Sequence, residues 1–464
     1  MKRRNMLAGI AAGLGLALSL AFAPAQPAKA QGGITWTTGF QVQNLGTAET
    51  TVEIQLINED GTTAATIPAA GAPAERIGVN RSKTYFPVPN VAAGFRGSAI
   101  ISADQPVAAI LNILGNSGVA GQPFYSEAAS GITEGALEVK LPLIQRGNAG
   151  FNTWFAVQNT GSSDASVTVE YTPGLAGTTF TSSAVTIRPG ASRIFDQATL
   201  TNLGDRFVGS AVVKGNQPLA VIVNQVGTGN LRTQLTYSGF GQGSNSVVLP
   251  LVQQANGGFF SGIAIQNVGT TSATVNVAFG ANTVGAAVPA NPAAITLAAG
   301  QGTTILVNGA GRYVGSATVT TGGADQQVVV VVNQLSDRFG TAYEGIASSA
   351  ATSKVSLPLL MANNGGFFTG VQCRNTGTGS ATVSLAYTSN TIVGNTFTPT
   401  AESATLAAGA SVTWLQNANA GIGTQRYVGG GTVTASTGTV VCIVNQLAPG
   451  NAGDAFLTYN GVNF

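Results

Sequence analysis

"FFTGVQCRNTGTGSATVSLAY", Phe367 to Tyr387, and "FFSGIAIQNVGTTSATVNVAF", Phe259 to Phe279, are two copies of one pattern set 108 positions apart. Each opens on an apolar run, passes through an Asn-x-Gly turn signal, and continues as "ATVSL" or "ATVNV". That strict apolar–polar alternation is the period-2 signature of a half-buried strand. The copies differ most visibly at Cys373, which faces Ile265 in the alignment and is one of only two cysteines in the chain.

Three further markers extend the pattern over the chain. Leu-Pro-Leu begins at Leu141, Leu249 and Leu357, in steps of 108. The Asn of the turn signal recurs as Asn44, Asn159, Asn267 and Asn375. "FRGSA", "FVGSA", "YVGSA" and "YVGGG" carry Gly97, Gly209, Gly315 and Gly429, and a late apolar strand carries Asn112, Asn224, Asn333 and Asn445. "QVVVVVNQL" (Gln327 to Leu335) is a continuous β-branched run, which reads as a strand buried on both faces. No segment outside the N-terminus holds a 3.6-residue apolar period for three turns. The spacing therefore predicts an all-β chain of four tandem immunoglobulin-like β-sandwich repeats of about 108 residues.

The N-terminus reads as a cleaved signal peptide, residues 1–30. Lys2, Arg3 and Arg4 precede an apolar run, and "AKA" precedes Gln31. The repeats then fall at 31–138, 139–246, 247–353 and 354–464. Repeat 31–138 lacks the Leu-Pro-Leu strand if that strand opens each unit. If it closes each unit, 354–464 is the incomplete one. "QGGITWTT" (Gln31 to Thr38) is a candidate arm to cover the gap or to be donated to another molecule. A transmembrane barrel fits poorly, because a 108-residue period has no place among regular hairpins. No later apolar run is long enough to span a membrane as a helix.

Composition removes several functions. The 464 residues contain no histidine, so histidine-based triads, HExxH sites and histidine-ligated zinc are excluded. Charged residues are 8% of the chain, and the surface is filled with Gly, Ala, Thr, Asn, Gln and Ser instead. The four basic residues of the signal (Lys2, Arg3, Arg4, Lys29) leave 16 bases against 18 acids, a net of −2 that suits no nucleic-acid partner. Repeat 31–138 is acidic (net −5) and 139–246 basic (net +3), an asymmetry that suits contacts between molecules or drifts without consequence. Nothing reads as catalytic, and no cofactor or metal is expected.

The remaining motifs have structural readings. The repeated Asn before each turn suits a side chain bonding its own backbone. Arg206, Arg312 and Arg426 precede an aromatic residue and Arg96 follows one, which suggests guanidinium–ring stacking. "NEDG" (Asn58 to Gly61) is a hairpin turn, not a calcium loop. Asn80-Arg81-Ser82 is the chain's one sequon. Trp36, Trp154 and Trp414 are scattered and make no sugar platform. Cys373 aligns with Val42, Val157 and Ile265, and Cys442 with Ala109, Val221 and Val330. Two inward positions become cysteine together in an exported chain, which predicts a Cys373–Cys442 disulfide bridging the two sheets; two buried free thiols are the alternative.

The "QNxGxxxATVxV" pattern resembles the immunoglobulin-like repeat domains, CARDB-type among them, of bacterial and archaeal surface proteins. The resemblance implies a secreted or cell-surface structural role. Four sandwiches in a row predict a rod, acting as a non-catalytic self-assembling subunit of a filament, sheath or surface layer. Homo-oligomer or polymer contacts would run through the terminal repeats. The alternative is a monomeric adhesin or carbohydrate-binding module with glycan or cell-surface contacts.

Overall fold

The computed structural model describes residues 35–92, 95, 97–116, 123–227, 233–285, 287–392, 394–450 and 453–464. The expected signal peptide and Arg96 lie outside them. Among the described residues the chain is all-β, with four short 3-10 turns and no α-helix. Among the described residues no helix is long and apolar enough to cross a membrane.

The strands gather into four consecutive blocks of two sheets. In the third block one sheet runs Ile295–Leu297, Ala273–Gly280, Tyr313–Thr321, Ser246–Gln254, Ile346–Ala347. The other runs Gly302–Val307, Phe260–Asn267, Val328–Leu335, Gly340–Glu344. The fourth block repeats this order with Lys354–Ala362 in place of Ser246–Gln254 and Val440–Leu447 in place of Val328–Leu335. In the second block one 21-residue strand, Phe207–Gly227, serves both sheets in turn.

Leu-Pro-Leu lies on the opening strand of its own block: Ala136–Arg146, Ser246–Gln254 and Lys354–Ala362 each pair with a later strand of the same block. Among the described residues the first block is thus the one without such a strand. Its Gly97–Ala103 strand pairs with Thr50–Asn58 and has no opening strand beside it among the described residues. Thr35 to Thr38 belong to strand Thr35–Asn44, paired with Val107–Asn116, so this part of the "QGGITWTT" arm is not free to cover the gap or be donated. Residues 31–34 lie outside the described residues.

Proline cannot donate to a ladder, and each Leu-Pro-Leu breaks register as a bulge, seen between Leu249 and Val252 and between Leu357 and Leu360. A tyrosine from a late strand of the block clasps the bulge. The Tyr237 hydroxyl donates to Leu143 O (2.8 Å) and accepts from Leu143 N (3.3 Å), and Tyr459 does the same at Leu359 (2.5 and 3.2 Å). Tyr343 clasps Leu251. The first block, lacking the bulge, has Ala129 at this position. Tyr343→Phe is expected to cost about 1–3 kcal/mol, since it leaves a buried N–H and C=O without partners. Equilibrium urea unfolding measures this, and an unchanged midpoint would contradict the clasp.

The blocks do not form a rod. Gln225 and Asn333 exchange amide hydrogen bonds between the second and third blocks (3.0 and 2.8 Å). Gln334 and Asn445 do so between the third and fourth (3.1 and 3.0 Å). Gln446 and Asn112 then do so between the fourth and the first (3.2 and 2.8 Å). Equivalent late strands of the blocks pack cyclically: Pro123–Ser130 on Gln234–Ser238, then Gly340–Glu344, then Phe456–Asn460, which returns to Pro123–Ser130. The chain is a closed ring of four blocks, and its terminal blocks are neighbours.

Ring closure explains the unbroken apolar runs. Strand Val328–Leu335 turns Val328, Val330 and Val332 into its own core, while Val331 joins the core cluster of the second block. Likewise Ile443 of the fourth block enters the third block's cluster, and Ile110 and Ala128 of the first enter the fourth's. Each such strand is buried on one face by its own sandwich and on the other by its neighbour.

Candidate functional site

The four seams use equivalent residues, so their differences point to specialised sites. A serine after each repeated glycine donates to the carbonyl of a turn glycine in the next block: Ser98 to Gly190 O (2.9 Å), Ser210 to Gly300 O (2.9 Å), Ser316 to Gly409 O (3.4 Å). These turn glycines have φ of 72°, 76° and 73°, a region open to glycine at little cost. At the fourth seam the serine is replaced by Gly430. There Gln41 Nε2 donates to Pro358 O, as the equivalent Gln372 does to Pro250 O at the third seam (3.1 Å), and also to Gly429 O (3.1 Å).

A hydrogen-bond relay orients the amide pairs. Arg206 Nε donates to Asn148 Oδ1 (3.0 Å), Asn148 Nδ2 to Gln145 Oε1 (2.6 Å), and Gln145 Nε2 to Gln225 Oε1 (2.9 Å). Arg312, Asn256, Gln253 and Gln334 repeat it at 3.1, 2.6 and 2.9 Å. The repeated arginine is therefore a donor to a hairpin asparagine. The expected stacking on the adjacent ring is replaced by this bond, because the Asn carbonyl lies within reach of Nε.

In the fourth block the relay breaks. Arg426 Nε still donates to Asn364 Oδ1 (2.8 Å), but Met361 stands where Gln145 and Gln253 stand in the other blocks. Asn364 Nδ2 meets only the Met361 thioether at 3.5 Å, a weak acceptor. Gln446 Oε1 keeps Asn112 as donor and lacks the second donor that Gln225 and Gln334 have. A cavity of about 350 Å³ opens at this seam, walled by Phe40, Ile110, Leu114, Leu359, Met361 and Phe367, with Asn364, Arg426 and Gln446 on its lining. Phe86, 59% exposed, stands at its edge.

The seam between the first and second blocks departs differently. Ile113 takes the place of the pairing glutamine, and Asn224 Nδ2 is buried without a partner. Trp154 fills the space with Ala129, Ala156 and Ile222. Glu59, Asp60, Arg188 and Arg193 line the same seam, and the Thr62 hydroxyl and N–H, with Arg188 nearby, lower the Asp60 carboxyl below its usual range. The acidic first block and basic second block thus meet within one chain.

At the ring's centre Glu127, on strand Pro123–Ser130, and Asp454, just before strand Phe456–Asn460, come together. Asp454 accepts from Thr233 Oγ1, from Gln234 N (3.1 Å) and from Gly340 N (3.2 Å), while its own carbonyl accepts from Ser126 Oγ (2.6 Å). Glu127 Oε1 accepts from Thr341 Oγ1 (2.9 Å), and its Oε2 is buried without a partner. Burial pushes the Glu127 carboxyl well above the usual range, and the charge of Asp454 adds to the shift. Burial raises Asp454 as well.

Cys373 and Cys442 are register partners on adjacent strands of a single sheet, Phe368–Asn375 and Val440–Leu447. Their sulfurs are 2.01 Å apart and their Cα atoms 4.1 Å apart. The bond links neighbours within a sheet and does not cross between sheets as expected, because the two strands run side by side. Val42–Ala109, Val157–Val221 and Ile265–Val330 occupy the same register positions.

The turn asparagines act on their own backbone. Asn44, Asn159, Asn267 and Asn375 are fully buried; each donates to a carbonyl four residues on and accepts from the N–H two residues on. "NEDG" is a hairpin turn in which Asp60 accepts from Thr62 N (2.9 Å). Trp154 and Trp414 are buried, at 6% and 8% exposure. Among the described residues no three His, Cys, Asp or Glu side chains gather as a metal site.

No protein-family model matches the chain, and no curated protein matches it. Among solved structures, that of Thermotoga maritima 1070 aligns with 23% of this chain and 96% of that chain, at 20% identity and a TM-score of 0.21.

Proposed function

We propose that this chain is a secreted, non-catalytic structural protein whose working unit is a closed ring of four immunoglobulin-like sandwiches. The observation that carries the reading is the reciprocal Gln446–Asn112 pair, which closes the fourth block on the first with the chemistry used at two other seams. A heterologous contact that closes makes a ring; one that does not makes a fibre. The terminal repeats are engaged with each other, so any surface filament, sheath or layer built from this protein joins rings, not chain ends. The absence of histidine from the sequence, the surface with few charges and the signal-like N-terminus support a structural role outside the cell. The resemblance to CARDB-type surface repeats supports it too. Phe86, Leu306 and Leu415, each 45% exposed or more, occupy one equivalent register position in three repeats and offer ring faces an apolar contact.

Solution X-ray scattering tests the ring, and electron microscopy tests the assembly. A closed ring of this length has a radius of gyration of about 25 Å, whereas four sandwiches strung in a row give roughly 40 Å. Fibres or sheets of stacked rings in material sheared from native cells are expected. Isolated rings there, and in the concentrated purified chain, would remove the assembly role.

A further inference from the structure

We propose that the cavity between the fourth and first blocks is a binding site for one small apolar molecule bearing an uncharged head that both donates and accepts hydrogen bonds, as a primary carboxamide does. It rests on closure of the ring and not on the ring's structural role. The second and third blocks show what the site lacks. There a glutamine carboxamide accepts from the hairpin asparagine through Oε1 and donates to the seam glutamine through Nε2. In the fourth block Met361 removes that group, leaving Asn364 Nδ2 a thioether and Gln446 Oε1 a single donor.

The two unmet positions are complementary, one donor and one acceptor, and both lie on the lining of the same cavity. A bound carboxamide takes the vacant role: its oxygen accepts from Asn364 and its nitrogen donates to Gln446. Its apolar body lies against Ile110, Leu114, Leu359 and Phe367. About 350 Å³ is at the small end of ligand sites and holds roughly ten water volumes, which sets the body at the size of a medium alkyl chain or a single aromatic ring. A polar site whose hydrogen bonds go unmet discriminates strongly against analogues lacking the matching group. An alkane of the same length therefore binds far less well than the amide. Arg426 is held on Asn364 as its counterparts are in the other blocks, so its charge is not the primary determinant of the head group.

The test is isothermal titration of the full chain with octanamide, with octanoate and octane-1,2-diol as comparators. Octanamide is expected to bind one site per chain, at least about tenfold more tightly than octanoate. Met361→Gln, which is nearly isosteric and restores the relay so that Asn364 and Gln446 are satisfied within the chain, is expected to abolish binding while leaving the ring closed by scattering. Met361→Leu, which restores nothing, is expected to retain it. Failure of octanamide to bind, tighter binding of octanoate, or binding that survives Met361→Gln would each overturn the assignment. An open ring in the scattering experiment would instead overturn the reading of the ring itself.

Discussion

Replacing Cys373 by Val and Cys442 by Ala is expected to destabilise the fourth block by about 4 kcal/mol while leaving the ring closed. The magnitude follows from the 69-residue separation between the cysteines, through the entropy of the cross-linked unfolded chain. The choice of residues follows from the first block, where Val42 and Ala109 hold the same register positions. The substitution thus keeps a pair that a sister sheet already uses and removes only the cross-link. Hydrogen exchange read by mass spectrometry should show protection falling across 354–464 and holding across 139–353. Equal protection in both chains would mean that the disulfide adds nothing to stability.

The second large effect is one of pH. Glu127 and Asp454 sit together at the ring's centre with raised folded-state pKa values, so the folded chain binds their protons more tightly than the unfolded chain does. Their contribution to stability is complete below the ordinary carboxylate range and is lost as pH rises through the raised values. Every tenfold gain in proton affinity on folding is worth about 1.4 kcal/mol. The urea midpoint is expected to be higher at pH 5 than at pH 8, and Glu127→Gln is expected to flatten that difference. The Thr341 hydroxyl and the Ala128 N–H donate to Glu127 Oε1, so a glutamine carbonyl keeps both donors while the charge beside Asp454 is removed. A midpoint that rises with pH, or a slope unchanged by Glu127→Gln, would contradict this account.

Much of the fold was legible because period-2 alternation and turn chemistry are local. The asparagine of each turn bonds residues two and four places on, and the opposition of Cys373 to Cys442 followed from lining up four copies. What local patterns omit is the partner across a distance. Two inward positions look alike whether they face each other across a core or sit side by side in one sheet, so alignment names the right pair of cysteines but sets them across the core instead of within one sheet. Asn112, Asn224, Asn333 and Asn445 were visible as a marker, but an amide paired within a molecule reads no differently from one facing water. The clearest missed signal was the continuous run "QVVVVVNQL". A sandwich strand needs only one apolar face, so a run apolar on both faces implied a neighbour on the outer side, and four such runs implied a cycle. The candidate cavity was also written in the sequence, as Met361 against Gln145 and Gln253, and it carries meaning only once those glutamines have partners.

Four identical subunits around an axis must change every joint when they change one. Here the four joints belong to one chain, and each carries its own variation: a tryptophan-filled joint with charged neighbours, two joints with complete relays, and one with a relay cut by methionine. Tandem linkage keeps the high local concentration that holds a ring together and releases the joints from having to be equal. Symmetry then becomes a background against which a single position can be made different, and the ring acquires an orientation that a homotetramer lacks.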